Sequence, residues 1–104
     1  MQQKMIHLDC TFRDGGYYTK WDFSKDLIDD YLVAMKAAGI DAAELGLRLW
    51  SNDGFKGSCA YTSDEFLETL NIPEGIIIGF MLNASDLIVD GALSIERLEK
   101  LIPR

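Results

Sequence analysis

The stretch LDCTFRDGG, Leu8 to Gly16, joins an apolar run to a charged pair and two glycines. Met5, Ile6, His7 and Leu8 lead into it and read as a buried strand, so Arg13 and Asp14 either close a surface turn or stand at the floor of a site. Taken as a strand from Lys4 to Phe12, the segment puts Ile6, Leu8, Cys10 and Phe12 on one face. Met5, His7, Asp9, Thr11 and Arg13 fall on the other, because strand side chains alternate. Arg13 and Asp14 would point apart on an extended chain, and a bend at Asp14, permitted by Gly15 and Gly16, would let both reach one rim.

Working outward, the same strand-then-helix rhythm recurs. Ser24 caps a helix and Phe23 can staple onto Ile28. Leu27, Ile28, Tyr31, Leu32, Met35 and Ala38 keep helical spacing, and Gly39 stops it. A second strand runs from about Ile40 to Leu49, with Ala43, Leu45, Leu47 and Leu49 on one face and Ala42, Glu44, Gly46 and Arg48 on the other. TSDE, Thr62 to Glu65, has capping-box form and starts a short helix before Pro73. GIIIGFMLN, Gly75 to Asn83, is a third strand, and Ser94 caps a last helix through Leu98, Leu101 and Ile102 up to Pro103. This order implies right-handed crossovers and a parallel sheet, an α/β fold.

Each strand has one apolar side for covering helices, and the first two carry small or ionisable residues opposite. Ionisable groups on a single face suit a β/α barrel, whose reacting groups lie at the strand C-terminal rim. An open doubly wound sheet is the competing architecture. A barrel needs eight strands and about 250 residues. The 104 residues offer only three strand-helix units, so the expectation is an incomplete TIM barrel, 1-104 forming its N-terminal part.

Composition narrows the function. With 48% hydrophobic and 26% charged residues the chain has ordinary globular proportions, and a net charge of −7 argues against general nucleic-acid binding. No run approaches a membrane span, and MQQKMIHLDC lacks a secretory apolar core. Cys10 and Cys59 sit in unrelated contexts, which points to a reducing cytoplasm.

LDCTFRDGG resembles the first-strand signature of the metallolyase barrels that include 4-hydroxy-2-oxovalerate aldolase, hydroxymethylglutaryl-CoA lyase and the isopropylmalate and homocitrate synthases. Asp9, Thr11, Arg13, Asp14 and Gly15 match D-x-T-L-R-D-G, with Phe12 in place of Leu. The helix ending in Ala38-Gly39 and the following Glu44-x-Gly46 strand resemble the family's next segment. The resemblance implies that Asp14 ligates a divalent metal, Mn2+ or Mg2+, and that Arg13 stabilises an enolate oxygen. It also implies that Glu44 supports Arg13, and it makes Thr11 and Tyr17 candidates for substrate contact. The chemistry is coherent: breaking a carbon–carbon bond beside a carbonyl leaves charge on oxygen, which a hard cation and a fixed guanidinium hold together. The implied substrate is a small 2-oxo acid.

Two departures accompany the resemblance. The family completes its metal site with a late His-x-His pair, and the one histidine here is His7. Tyr17 stands where the oxovalerate aldolases have a basic His and the synthases a Gln. The 104 residues are therefore expected to be inactive alone and to belong to a longer lyase. An acyl-CoA condensing transferase and a non-catalytic binding or assembly module are the rivals. Three strands leave open edges, so the isolated chain is expected to self-associate.

Plainer readings stand beside these. Arg13 and Asp14 can form a turn salt bridge, and Glu44 can be a structural partner of Arg13 or Arg48. His7 reads as a packed core histidine and Cys10 as a small core hydrophobe. The loop WSNDGFKGSCAY, Trp50 to Tyr61, reads either as a substrate lid, with Lys56 meeting a carboxylate, or as an apolar flap.

Overall fold

A computed structural model describes residues 4–102. Three strands, β1 (Leu8–Asp9), β2 (Ala42–Leu47) and β3 (Ile77–Met81), form a parallel sheet in the order β1-β2-β3. Leu8 pairs with Ala42, and Ala42 with Ile77. The β2–β3 register slips between Glu44 and Gly46, so Gly46 faces Phe80 and Leu47 faces Met81. The helices are α1 (Thr11–Thr19), α2 (Lys25–Ala37), the short α3 (Asp64–Glu68) and α4 (Ile95–Leu101). Among the described residues no helix is long and apolar enough to cross a membrane.

The expected capping chemistry builds α2 and α4. Ser24 accepts the Leu27 amide and Ser94 the Arg97 amide, which satisfies otherwise orphaned donors. Gly39, at φ 81°, ends the α2 segment. The third short helix is capped by Ser63, one residue later than TSDE suggests. Thr62 instead turns inward and donates its hydroxyl to the carbonyls of Leu47 and Cys59.

The core gathers around β2, where α1, α2 and the 3-10 turn Ser58–Ala60 pack. Ala43, Leu45 and Leu47 are buried there as alternation requires, with Phe12, Trp21, Ile28, Leu32, Cys59 and Ile76 around them. Phe12 stacks between Phe23 and Tyr31, at ring separations of 4.4 and 4.1 Å. Gly46 is required at the 3-10 turn, because a Cβ there would sit 2.0 Å from the Cys59 carbonyl oxygen.

Three expectations are corrected. The first strand ends at Asp9, not Phe12, and Thr11 to Thr19 are helical, so Thr11 and Arg13 do not alternate along a strand. The cause is local: the Asp9 carboxylate accepts the Thr11 amide at 3.0 Å and turns the chain. The run Met5, Ile6, Leu8 is exposed, 75%, 65% and 51%: β1 is an outer strand of the sheet, and Met5 and Ile6 lie before it begins at Leu8. His7 is exposed with it rather than packed, contributing its backbone to Asp41 and Ala42. The segment after β3 also holds an unanticipated hairpin, β4 (Ile88–Val89) and β5 (Ala92–Leu93). Its turn residues Asp90 and Gly91 both have positive φ, as a tight two-residue hairpin loop demands.

Candidate active site

The turn at Asp9 sends α1 away from the C-terminal end of β1, and Arg13 projects from its first turn toward β2. Nη1 of Arg13 donates to a Glu44 carboxylate oxygen at 2.7 Å. Nε and Nη2 both donate to one oxygen of Asp14, at 3.3 and 3.2 Å. The guanidinium thus bridges two carboxylates. Its side chain is 25% exposed, Glu44 16% and Asp14 67%. Hydrogen bonding to Asp14 and the charge of Glu44 outweigh burial and hold Arg13 above its ordinary pKa, so it stays a cation. The pairing also answers which arginine Glu44 serves: it is Arg13, not Arg48.

A helix, not a bend in a strand, brings Arg13 and Asp14 to one place. Consecutive helical side chains diverge by about 100° rather than the near-opposite directions of a strand, and Arg13 folds back along the Asp14 carboxylate. Trp21 fixes the far side of this helix by donating its indole N–H to the Arg13 carbonyl at 2.9 Å. Gly16 makes that approach possible, since a Cβ there would overlap the indole.

The other candidate residues lie on the same short helix. Thr11 starts it and donates its hydroxyl to Asp9 at 3.2 Å. Tyr17, one turn beyond Arg13, is 61% exposed and rests edge-on against Trp21 at 4.7 Å. Cys10 is half-buried immediately before α1, with its thiol pKa raised by burial and by Glu44. Cys59 is wholly buried, which pushes its pKa up to about 12 and leaves it a thiol. Lys56 donates to the Asp53 carbonyl. Among the described residues no three His, Cys, Asp or Glu side chains cluster in a way that would hold a metal ion.

Asp9 and Tyr31 take on roles here that the sequence alone does not assign them. Asp9 accepts the Tyr31 hydroxyl at 2.5 Å as well as both Thr11 donors. Burial opposes its ionisation, but those hydrogen bonds prevail and hold its carboxyl below the ordinary range. Tyr31, in α2, is correspondingly raised, first by burial and then by Asp9. The spacing Asp9-x-Thr11 was the available signal, as a side-chain turn preceding a helix.

No protein-family model matches this chain, and a search of curated proteins also finds no match. Among solved structures the chain is similar to one described as the "N-terminal domain of a putative aldolase" from Bacteroides vulgatus. The two share 36% identity with a TM-score of 0.73 over 94% of this chain. The match covers 33% of the Bacteroides vulgatus chain, so the present sequence spans about a third of that solved domain.

Proposed function

We propose that residues 1-104 form the N-terminal part of an aldolase-type (β/α)8 barrel, a carbon–carbon lyase acting on a 4-hydroxy-2-oxo acid. The observation that carries this reading is the Arg13 guanidinium held between Glu44 and Asp14 just beyond β1, on a side chain three-quarters covered. The sequence and fold likeness to the Bacteroides vulgatus aldolase-related domain supports it. The match to only a third of that domain, together with the two open sheet edges, supports a longer catalytic unit.

In this reading Arg13 is the electrophilic partner. Its guanidinium cannot lose its proton at working pH and presents a rigid fork of donors, so it can hold the oxygen that becomes negative as the bond breaks. Glu44 orients that fork through Nη1 and offsets its charge where water is scarce. Tyr17 stands one helical turn along and supplies an aromatic face and a hydroxyl to the substrate. Thr11 keeps its oxygen lone pairs available while its proton is directed to Asp9.

The Asp14 carboxylate fits Mn2+ or Mg2+ as a single hard donor, more than half exposed and with one oxygen outside the Arg13 contacts. A bound divalent ion would add Lewis-acid polarisation of the substrate carbonyl. Among the described residues no group of three such donors forms, so in this reading the rest of the barrel completes the ligand set. A reducing cytoplasmic setting agrees with the free Cys10 and Cys59.

The test is release of a 2-oxo acid from 4-hydroxy-2-oxo acids by the full-length protein supplied with Mn2+. Arg13→Ala should lower turnover by at least about 100-fold, the usual effect of removing an oxyanion donor. Asp14→Ala should abolish both turnover and Mn2+ binding by calorimetry. Undiminished turnover in both variants would end the reading.

A further inference from the structure

We propose that Asp9 and Tyr31 are a positioning pair for Arg13, setting where the guanidinium stands by fixing the first turn of α1 against α2. This rests on the role given to Arg13 above. The first turn of a helix has four backbone amides without partners, and a short glycine-bearing helix such as α1 has little intrinsic stability. Its N-cap, Cys10, offers no side-chain hydrogen bond. Asp9 takes over the task from one residue further back, accepting the Thr11 amide at 3.0 Å and its hydroxyl at 3.2 Å.

That arrangement alone would orient α1 only relative to β1. Tyr31 adds the third direction. It comes from the middle of α2, 22 residues away in sequence, and donates its hydroxyl to the same carboxylate oxygen that holds the Thr11 amide. Its ring meanwhile stacks at 4.1 Å on Phe12, the residue before Arg13. One side chain therefore grips α1 through an apolar contact and through a hydrogen bond. With Trp21 bonded to the Arg13 carbonyl, the backbone around Arg13 is held from both sides, and the 2.7 Å reach to Glu44 follows. Loss of the Tyr31 hydroxyl removes one of these restraints without opening a cavity.

The decisive variant is Tyr31→Phe in the full-length, Mn2+-supplied protein. It should keep the melting temperature near that of the parent and leave KM nearly unchanged, while kcat falls by roughly 10-fold, since small misplacements of a catalytic group are costly. The Arg13 Nε–H signal in NMR, protected in the parent by Asp14, should broaden or exchange faster. Asp9→Asn retains an acceptor for Thr11 and Tyr31 and should recover most of the kcat lost in Asp9→Ala. A Tyr31→Phe protein with parental kcat and a parental Arg13 signal overturns the inference. So does Asp9→Asn performing no better than Asp9→Ala. If Arg13→Ala itself turns over normally, the functional reading falls and this inference with it. If Arg13→Ala is dead while Tyr31→Phe is unaffected, the inference alone falls.

Discussion

Two arginines sit close to the same central strand and are used in opposite ways. Arg13 reaches β2 from α1 and gives its donors to two carboxylates, with a quarter of its side chain open to solvent. Arg48 follows β2 directly and is 6% exposed. Its Nε donates to the Thr62 carbonyl and Nη1 to the Leu101 carbonyl at the end of α4, both at 2.8 Å. Nη2 pairs with Asp64. The guanidinium also lies 4.4 Å over the Phe80 ring. Backbone carbonyls cannot leave to admit a substrate oxygen, whereas a partly exposed carboxylate pair can share its cation. Arg48 is a tie between the strand end, α3 and α4, and Arg13 is the arginine whose charge a ligand can use.

The contrast is sharpest in stability. Arg48→Met should cost about 3 kcal/mol in urea unfolding, because it strands the buried Thr62 carbonyl and the Leu101 carbonyl and removes an ion pair to Asp64. Arg13→Met should cost less, roughly 1–2 kcal/mol, since its Asp14 pair is screened by solvent and Glu44, left without it, keeps some access to water, while removing the proposed activity. Comparable losses for the two variants would erase the distinction between a structural and a functional arginine. A stability loss confined to Arg48 with activity confined to Arg13 would sharpen it.

How far these roles were legible in the sequence depends on how local their causes are. The second helix could be read from Ser24 and Gly39, and the buried face of β2 from Ala43, Leu45 and Leu47, since caps and alternation act within a few residues. The pairing of Arg13 with Glu44 was accessible too: a covered charge on that face needs an opposite one, and the resemblance pointed to the same two residues. The helical state of Thr11 to Thr19 was not accessible. Thr11 and Phe12 favour strands, Gly15 and Gly16 disfavour helices, and the segment is held by the Trp21 indole, which propensity does not see. The Asp90-Gly91 hairpin carries a recognisable turn pair, but strands of two residues each give too little alternation to read. Exposure of Leu8 reflects its place on an outer strand, and Met5 and Ile6 precede that strand altogether, a property of the sheet and not of the run itself. The structure of Met1, Gln2, Gln3, Pro103 and Arg104 lies outside the described residues, and with it the expected proline stop.

The smallest expected effect separates the two arginine regions by pH. Asp9 belongs to the Arg13 region, and its folded carboxyl titrates below the ordinary aspartate value of 3.8. Burial works against this, but the hydrogen bonds from Tyr31 and Thr11 prevail. A carboxyl depressed in the folded state contributes stability that is fully present above its unfolded pKa, and the contribution is lost as pH falls through the lower folded value. The melting temperature should therefore drop as the solution is taken from about pH 5 to about pH 3. Tyr31→Phe removes the leading hydrogen bond, moves the Asp9 carboxyl back toward 3.8 and should make that drop shallower. Asp29 and Asp41, lowered by the Lys25 side chain and the His7 amide respectively, keep part of the acid response in both proteins. The difference between the two melting curves is therefore the signal that belongs to Asp9. Parallel curves for Tyr31→Phe and the parent would mean that the carboxylate at the start of α1 is held by Thr11 alone, and that the link from α2 to the Arg13 turn is apolar.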